Sequence, residues 1–149
     1  MPNKPNPLIR HFWPNPAKLP DVDLSGLSGV VTGASGGLGY DTALHLVRLN
    51  ISFLVLGVRN VQKGEDAKDR LIQSVPGYKG IVEVWPVDLT SFESVKLFAA
   101  RLCRLQQLHI LVSNAGVSPT VYKNTQDGWE ERSVTCTRPA KPEGDYTLS

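Results

Sequence analysis

Four apolar runs of strand length alternate with three stretches whose apolar residues recur at helical spacing, all between residues 28 and 113. "SGVVT" (28–32) is the first run, weakened as a strand by the glycine in its interior. "SFLVLG" (52–57) is too continuously apolar for a half-exposed strand and predicts one buried on both faces. "IVEVWPV" (81–87) follows the turn "PGYKG", and "LHILVS" (108–113) is the fourth run. Between them, "LGYDTALHLVRL" spaces Leu38, Thr42, Leu46 and Leu49 along a helix, and Asn50 suits its left-handed end. In "VQKGEDAKDRLIQSV", Ala67, Leu71 and Val75 share a face, and Asn60 can cap the start. The third helix begins at a capping-box pair, Thr90 and Glu93, and carries Phe92, Val95, Ala99, Leu102 and Leu105 on one side. Alternating strands and helices imply right-handed crossovers and a parallel sheet covered on both faces. The expected fold is α/β: a doubly wound parallel sheet present for about four strands.

The flanks read differently. Residues 1–24 hold six prolines within the first twenty positions and predict an extended arm. From residue 131 helical periodicity is lost, and Pro139, Pro142 and Gly144 break any helix begun there, so 131–149 reads as an irregular tail. The expected folded domain is then residues 25–130. With 41% hydrophobic residues the chain can bury one ordinary core. Sixteen basic and 14 acidic residues are spread without a basic run, which argues against a nucleic-acid surface. The opening has neither the apolar core of a secretory signal nor a membrane span. Cys103 and Cys136, and His11, His45 and His109, match no metal or redox spacing. A cytoplasmic protein with reduced thiols and no metal is the expectation.

The chemistry concentrates in "TGASGGLG" (32–39), four glycines in eight positions between a strand and a helix. Glycine there permits close backbone approach, and a helix N-terminus favours an anion, commonly a pyrophosphate. A tight turn holding nothing would also use glycines. A third reading is the G-x-S-x-G elbow, with Ser35 as nucleophile and Asp88 and His109 following in hydrolase order. The elbow would follow no strand but the one leading into it, and His109 is placed at the start of a buried-looking strand; both count against it.

"TGASGGLG", "VDLTS" (87–91) and "SNAG" (113–116), together with "LVRLN", "GVRNVQKGEDA" and "TQDGWE", resemble the short-chain dehydrogenase/reductase family over roughly residues 24–130. The likeness is to fungal members near the retinol-dehydrogenase-like reductases. It implies a Rossmann-type doubly wound sheet, truncated after about four strands, with strand order 3-2-1-4 for the part present. It also implies a cofactor diphosphate at Gly33, Ser35, Gly37, Leu38 and Gly39. Asp88 and Leu89 would flank the adenine, and Asn114, Ala115 and Gly116 would border its ribose. At the end of the second strand, where a carboxylate would bind ribose hydroxyls and repel a 2′-phosphate, the chain has Val58 followed by Arg59. A guanidinium there favours NADP over NAD.

The family's tyrosine with a lysine four residues later is missing. Tyr40 is followed at that distance by Leu44, Tyr78 by Val82 and Tyr122 by Gln126, and Tyr146 stands too near the last residue. Where relatives carry Val-Asn, the chain reads Thr135-Cys136. Agreement stops abruptly after Glu130, as a frameshift, a misplaced intron boundary or a truncation would produce. The expectation is therefore an NADP-dependent oxidoreductase of carbonyls or secondary alcohols by descent, without catalytic residues of its own. The alternative is a non-catalytic nucleotide-binding or interaction module. A sheet ending at "LHILVS" would expose an apolar edge and self-associate.

Overall fold

The computed structural model describes residues 22–116 and 124–130. The expected arm up to residue 21, the tail from 131, and His11, Tyr122, Thr135 and Cys136 lie outside the described residues. The elements run β1 (Ser28–Thr32), α1 (Gly37–Arg48), β2 (Phe53–Val58), α2 (Val61–Ser74), β3 (Ile81–Pro86), α3 (Phe92–Leu102) and β4 (Ile110–Val112). All pairings within the sheet are parallel and the order is β3-β2-β1-β4, so the expected half-sheet is present.

Side-chain alternation sorts the strands onto two cores, as a period of two requires. Val31, Leu54, Leu56, Val58 and Val82 join Ala43, Leu46, Val47 and Leu71 on the face covered by α1 and α2. Val30, Val55, Trp85 and Val87 meet Phe98 of α3 on the other face. The chain therefore changes sides after β3, and β4 returns beside β1. Between the carboxyl ends of β1 and β4 lies the switch point, where open α/β sheets leave a crevice.

Several local readings shift. In α1 the buried residues are Gly39, Ala43, Leu46 and Val47, while Leu38 is 78% exposed. The face is rotated because Gly39 must meet β1 and β4 closely, which turns Leu38 outward. The first turn of α3 is capped by Ser91, whose Oγ accepts from the Ser94 N–H at 3.3 Å. Thr90 is engaged elsewhere, donating from both N–H and Oγ1 to Asp88, so the Thr90–Glu93 capping box does not form. On α3 the buried residue is Phe98 and Ala99 is exposed. Asn60 does cap α2, accepting from Lys63 N–H at 3.0 Å, and Asn50 is left-handed at φ 65°. β4 is only three residues long, and its central Leu111 is 58% exposed on the sheet edge.

Candidate functional site

Thr32, at the end of β1, ties the two strands that flank the switch point. Its Oγ1 accepts from the N–H groups of Asn114 at 3.1 Å and Ala115 at 3.2 Å, and Asn114 Nδ2 donates to the Thr32 carbonyl at 3.2 Å. A buried hydroxyl with these partners fixes the chain leaving β4 against the chain leaving β1. The sequence reading gave Thr32 no role beyond opening the glycine motif. A β-branched polar residue at a buried strand end was the available signal.

The glycines then divide by what surrounds them. Gly33 is left-handed at φ 70°, and a Cβ there would lie 2.8 Å from Ala115 Cα. A Cβ on Gly39 would collide with the Gly33 carbonyl and lie 2.5 Å from Asn114 Nδ2. These two glycines are needed by the chain itself. Gly36 and Gly37 have nothing within 4 Å of an added Cβ, so bare backbone faces open space there. The tight-turn reading accounts for the first pair and for Gly37, which is left-handed at φ 56°, and leaves Gly36 facing an empty volume.

Helix caps sharpen the point. The N-terminal N–H groups of any helix lack partners in the helix. α2 and α3 satisfy some of theirs with Asn60 and Ser91, and the Asp127 carboxylate also accepts from Phe92 N–H at 2.8 Å. At α1 the N-cap is Gly36 and no side chain caps it. The uncapped end opens beside a crevice of about 350 Å³.

Eight of the eleven residues expected at the site line that crevice: Gly33, Ser35, Arg59, Asp88, Leu89, Asn114, Ala115 and Gly116. The remaining three, Gly37, Leu38 and Gly39, belong to the first turn of α1 and do not line it. Gly36, Gly57, Val87 and Thr90 line it without having been singled out, and so does Val58. Val58 is only 2% exposed, packed in the core beneath α2, so the end of β2 offers no polar side chain at that position. Arg59, the next residue, is exposed and makes no hydrogen bond or ion pair among the described residues.

Asp88, which lines the same crevice, is half-buried. Its Oδ1 accepts from Thr90 N–H at 2.9 Å and Thr90 Oγ1 at 2.7 Å, and its own N–H donates to Ser94 Oγ at 2.9 Å. No described residue hydrogen-bonds Oδ2. Burial pushes the Asp88 carboxyl up, but the two Thr90 hydrogen bonds and the Arg59 charge outweigh it and hold the group below its ordinary value. A carboxyl lowered on folding stabilises the fold above its unfolded-state value, and that contribution is lost as pH falls through the folded one. Asp88→Asn is therefore expected to flatten the fall in unfolding midpoint between neutral pH and about pH 3. Thermal melts of both chains across that window check it.

The serine-elbow reading fails on geometry. His109 precedes β4, is exposed rather than buried, and its Nδ1 accepts from Ser28 N–H at 3.1 Å. Ser28 begins β1 and Ser35 follows its end, so five extended residues, about 16 Å, separate them. No His109 base can reach Ser35 across that length.

The short chain dehydrogenase profile matches residues 29–135. The chain belongs to the short chain dehydrogenase family. A short-chain dehydrogenase of Aspergillus ruber is 44% identical over 79% of this chain and 34% of its own length. A short-chain dehydrogenase/reductase of Phaeosphaeria nodorum is 33% identical over 87% of this chain and 39% of its own. The chain thus spans little more than a third of these relatives. Among solved structures, a short-chain dehydrogenase from Sphingobium yanoikuyae in complex with NADPH superposes with a TM-score of 0.63. It is 26% identical, over 74% of this chain and 43% of that one. A metagenomic short-chain oxidoreductase in complex with NADP gives 0.54 at 33% identity, over 63% and 41% of the two chains. Short chain dehydrogenases are oxidoreductases that use NAD or NADP. Among the described residues, no helix is long and apolar enough to cross a membrane.

Proposed function

We propose that these residues hold the adenosine side of NADP(H) in an oxidoreductase that interconverts carbonyls and secondary alcohols, in lipid or secondary metabolism. The observation that carries the reading is the uncapped N-terminus of α1 opening, through bare Gly36, onto the crevice at the switch point. Free N–H groups of Gly37, Leu38 and Gly39 and the positive helix end suit a diphosphate. Leu38 needs only its backbone for this, which fits a side chain turned to solvent. Asp88 Oδ2 is open to accept from the adenine amine, and Leu89 offers that base an apolar wall. Asn114, Ala115 and Gly116, fixed by Thr32, border the adenine ribose. Ser35 and Arg59 both line the crevice, and Arg59, directly after β2, would receive a 2′-phosphate with no carboxylate at position 58 to repel it.

The bound nicotinamide group supplies or accepts hydride; the protein must add a proton donor at the substrate oxygen and a closed surrounding. No tyrosine in the 149 residues has a lysine four positions later. We therefore expect this chain to bind and orient the nucleotide without turning over substrate. The test is a comparison of NADPH with 2′-phospho-ADP-ribose, which lacks the nicotinamide. The two should bind within about threefold of each other, since a difference of under 1 kcal/mol is all an unsupported ring can add. Steady oxidation of NADPH by a carbonyl substrate would contradict the reading.

The exposed β4 edge carries a second expectation. That edge pairs with no strand among the described residues, and together with Leu111 it favours strand pairing with a second copy of this chain. Sedimentation should show dimers or larger species, shifted toward monomer by Leu111→Lys; a sharp wild-type monomer would dispose of the idea.

A further inference from the structure

Arg70 stands on α2, outside the crevice lining, yet it reaches the glycine loop. Its Nη2 donates to the Ser35 carbonyl at 3.3 Å, and its Nε donates to the Asp66 carbonyl of its own helix at 3.3 Å. The guanidinium carbon lies 4.6 Å from the centroid of the Tyr40 ring on α1. Two donors engaged on different carbonyls, with the plane held over an aromatic face, fix a guanidinium far better than a single bond does. Three separate pieces of chain, α2, the loop and α1, meet at this one group.

The loop has few other restraints. Gly33 N–H donates to the Gly57 carbonyl at 2.8 Å, and Ala34 is buried. Beyond them, among the described residues, the bond from Arg70 is the one side-chain hydrogen bond made to residues 33–36. Gly36 and Gly37 follow directly and face open space; α1 holds Gly36 on one side, its carbonyl accepting from Tyr40 N–H at 3.3 Å, and Ser35 holds it on the other.

We propose that Arg70 is a positioning residue, clamping the Ser35 carbonyl so that the bare backbone of Gly36 and Gly37 is preset for the dinucleotide diphosphate. This rests on the cofactor reading above. Because Arg70 acts through the loop and not on the 2′-phosphate, its loss must weaken NADPH and NADH equally. Arg59, by contrast, discriminates between them. Lysine can reach the Ser35 carbonyl but cannot also hold the Asp66 carbonyl from a fixed plane, so it restores part of the effect.

Hydrogen exchange on the ligand-free chain tests the clamp independently of any cofactor. In Arg70→Ala, the Tyr40 amide, which closes the loop by donating to the Gly36 carbonyl, should exchange about fivefold faster, the loss expected for one net hydrogen bond, with β1, β2 and β3 unchanged. The dissociation constants of NADPH and NADH should both rise about fivefold with their ratio preserved, and Arg70→Lys should recover part of each. Unchanged loop exchange overturns the proposal. So does exchange that rises uniformly through the sheet, which would report lost stability and not a loosened loop. Weakening of NADPH alone would make Arg70 a phosphate ligand and overturn positioning as its role. Failure of the wild-type chain to bind either nucleotide would overturn the cofactor reading, and loop exchange would still decide whether Arg70 clamps the loop.

Discussion

Gly39→Ala is expected to cost the fold about 2 kcal/mol and to lower its unfolding midpoint by about 10 °C. In an ordinary helix the change would help, since alanine is favoured over glycine by up to about 1 kcal/mol. Here the new methyl would strike the Gly33 carbonyl and crowd Asn114 Nδ2, both held by the hydrogen-bonded junction of β1 and β4. Neither atom is the free end of a flexible side chain. Overpacking against fixed groups costs about 3 kcal/mol, so the clash wins. Gly36→Ala is the control. That residue is extended at φ −176° with nothing near its Cβ position, and its replacement should cost less than about 1 kcal/mol. Thermal melts of the two variants, side by side, measure the difference. Equal stability would mean that the tight junction at the switch point does not exist.

That contrast also marks how far the sequence could be read. The strand and helix alternation was legible because each element is long enough for its own period to show, and the sheet order followed from the family motifs. "TGASGGLG" announced a close approach but not which glycine approaches what. Gly39 and Gly33 are consumed by contacts with Asn114 and Ala115, which lie more than seventy residues away in the chain. No local pattern encodes such a contact. The rotated face of α1 has the same origin: helical spacing favoured Leu38, and the tertiary demand on Gly39 turned it outward. At α3 the motif Thr90–Glu93 looked like a cap, but Asp88 two residues earlier captures Thr90 first. Arg70 was silent in the sequence, an arginine in a polar helix like any other, because its partners Ser35 and Tyr40 come from a different turn of the fold.

Arg59→Ala is expected to weaken NADPH about tenfold to a hundredfold and to leave NADH within about twofold. A charge-assisted bond between guanidinium and phosphate contributes about 1.5–3 kcal/mol, and the exposure of Arg59 places the effect toward the lower end. The discrimination should fade as salt is raised, since a solvent-facing ion pair is screened. Val58 contributes by what it is not. Its buried side chain leaves no carboxylate at the end of β2 to repel the phosphate or to claim the ribose hydroxyls. Val58→Asp would place an acid in the core beneath α2, so the informative change is at Arg59.

The most direct test is a four-way titration: NADPH and NADH, each against the wild-type chain and Arg59→Ala, at one low ionic strength. A crevice built for the adenosine side of NADP(H) predicts that the wild type prefers NADPH by about tenfold or more and that Arg59→Ala abolishes the preference by weakening NADPH alone. Equal affinities in the wild type, or equal losses for the two nucleotides in the variant, would contradict it.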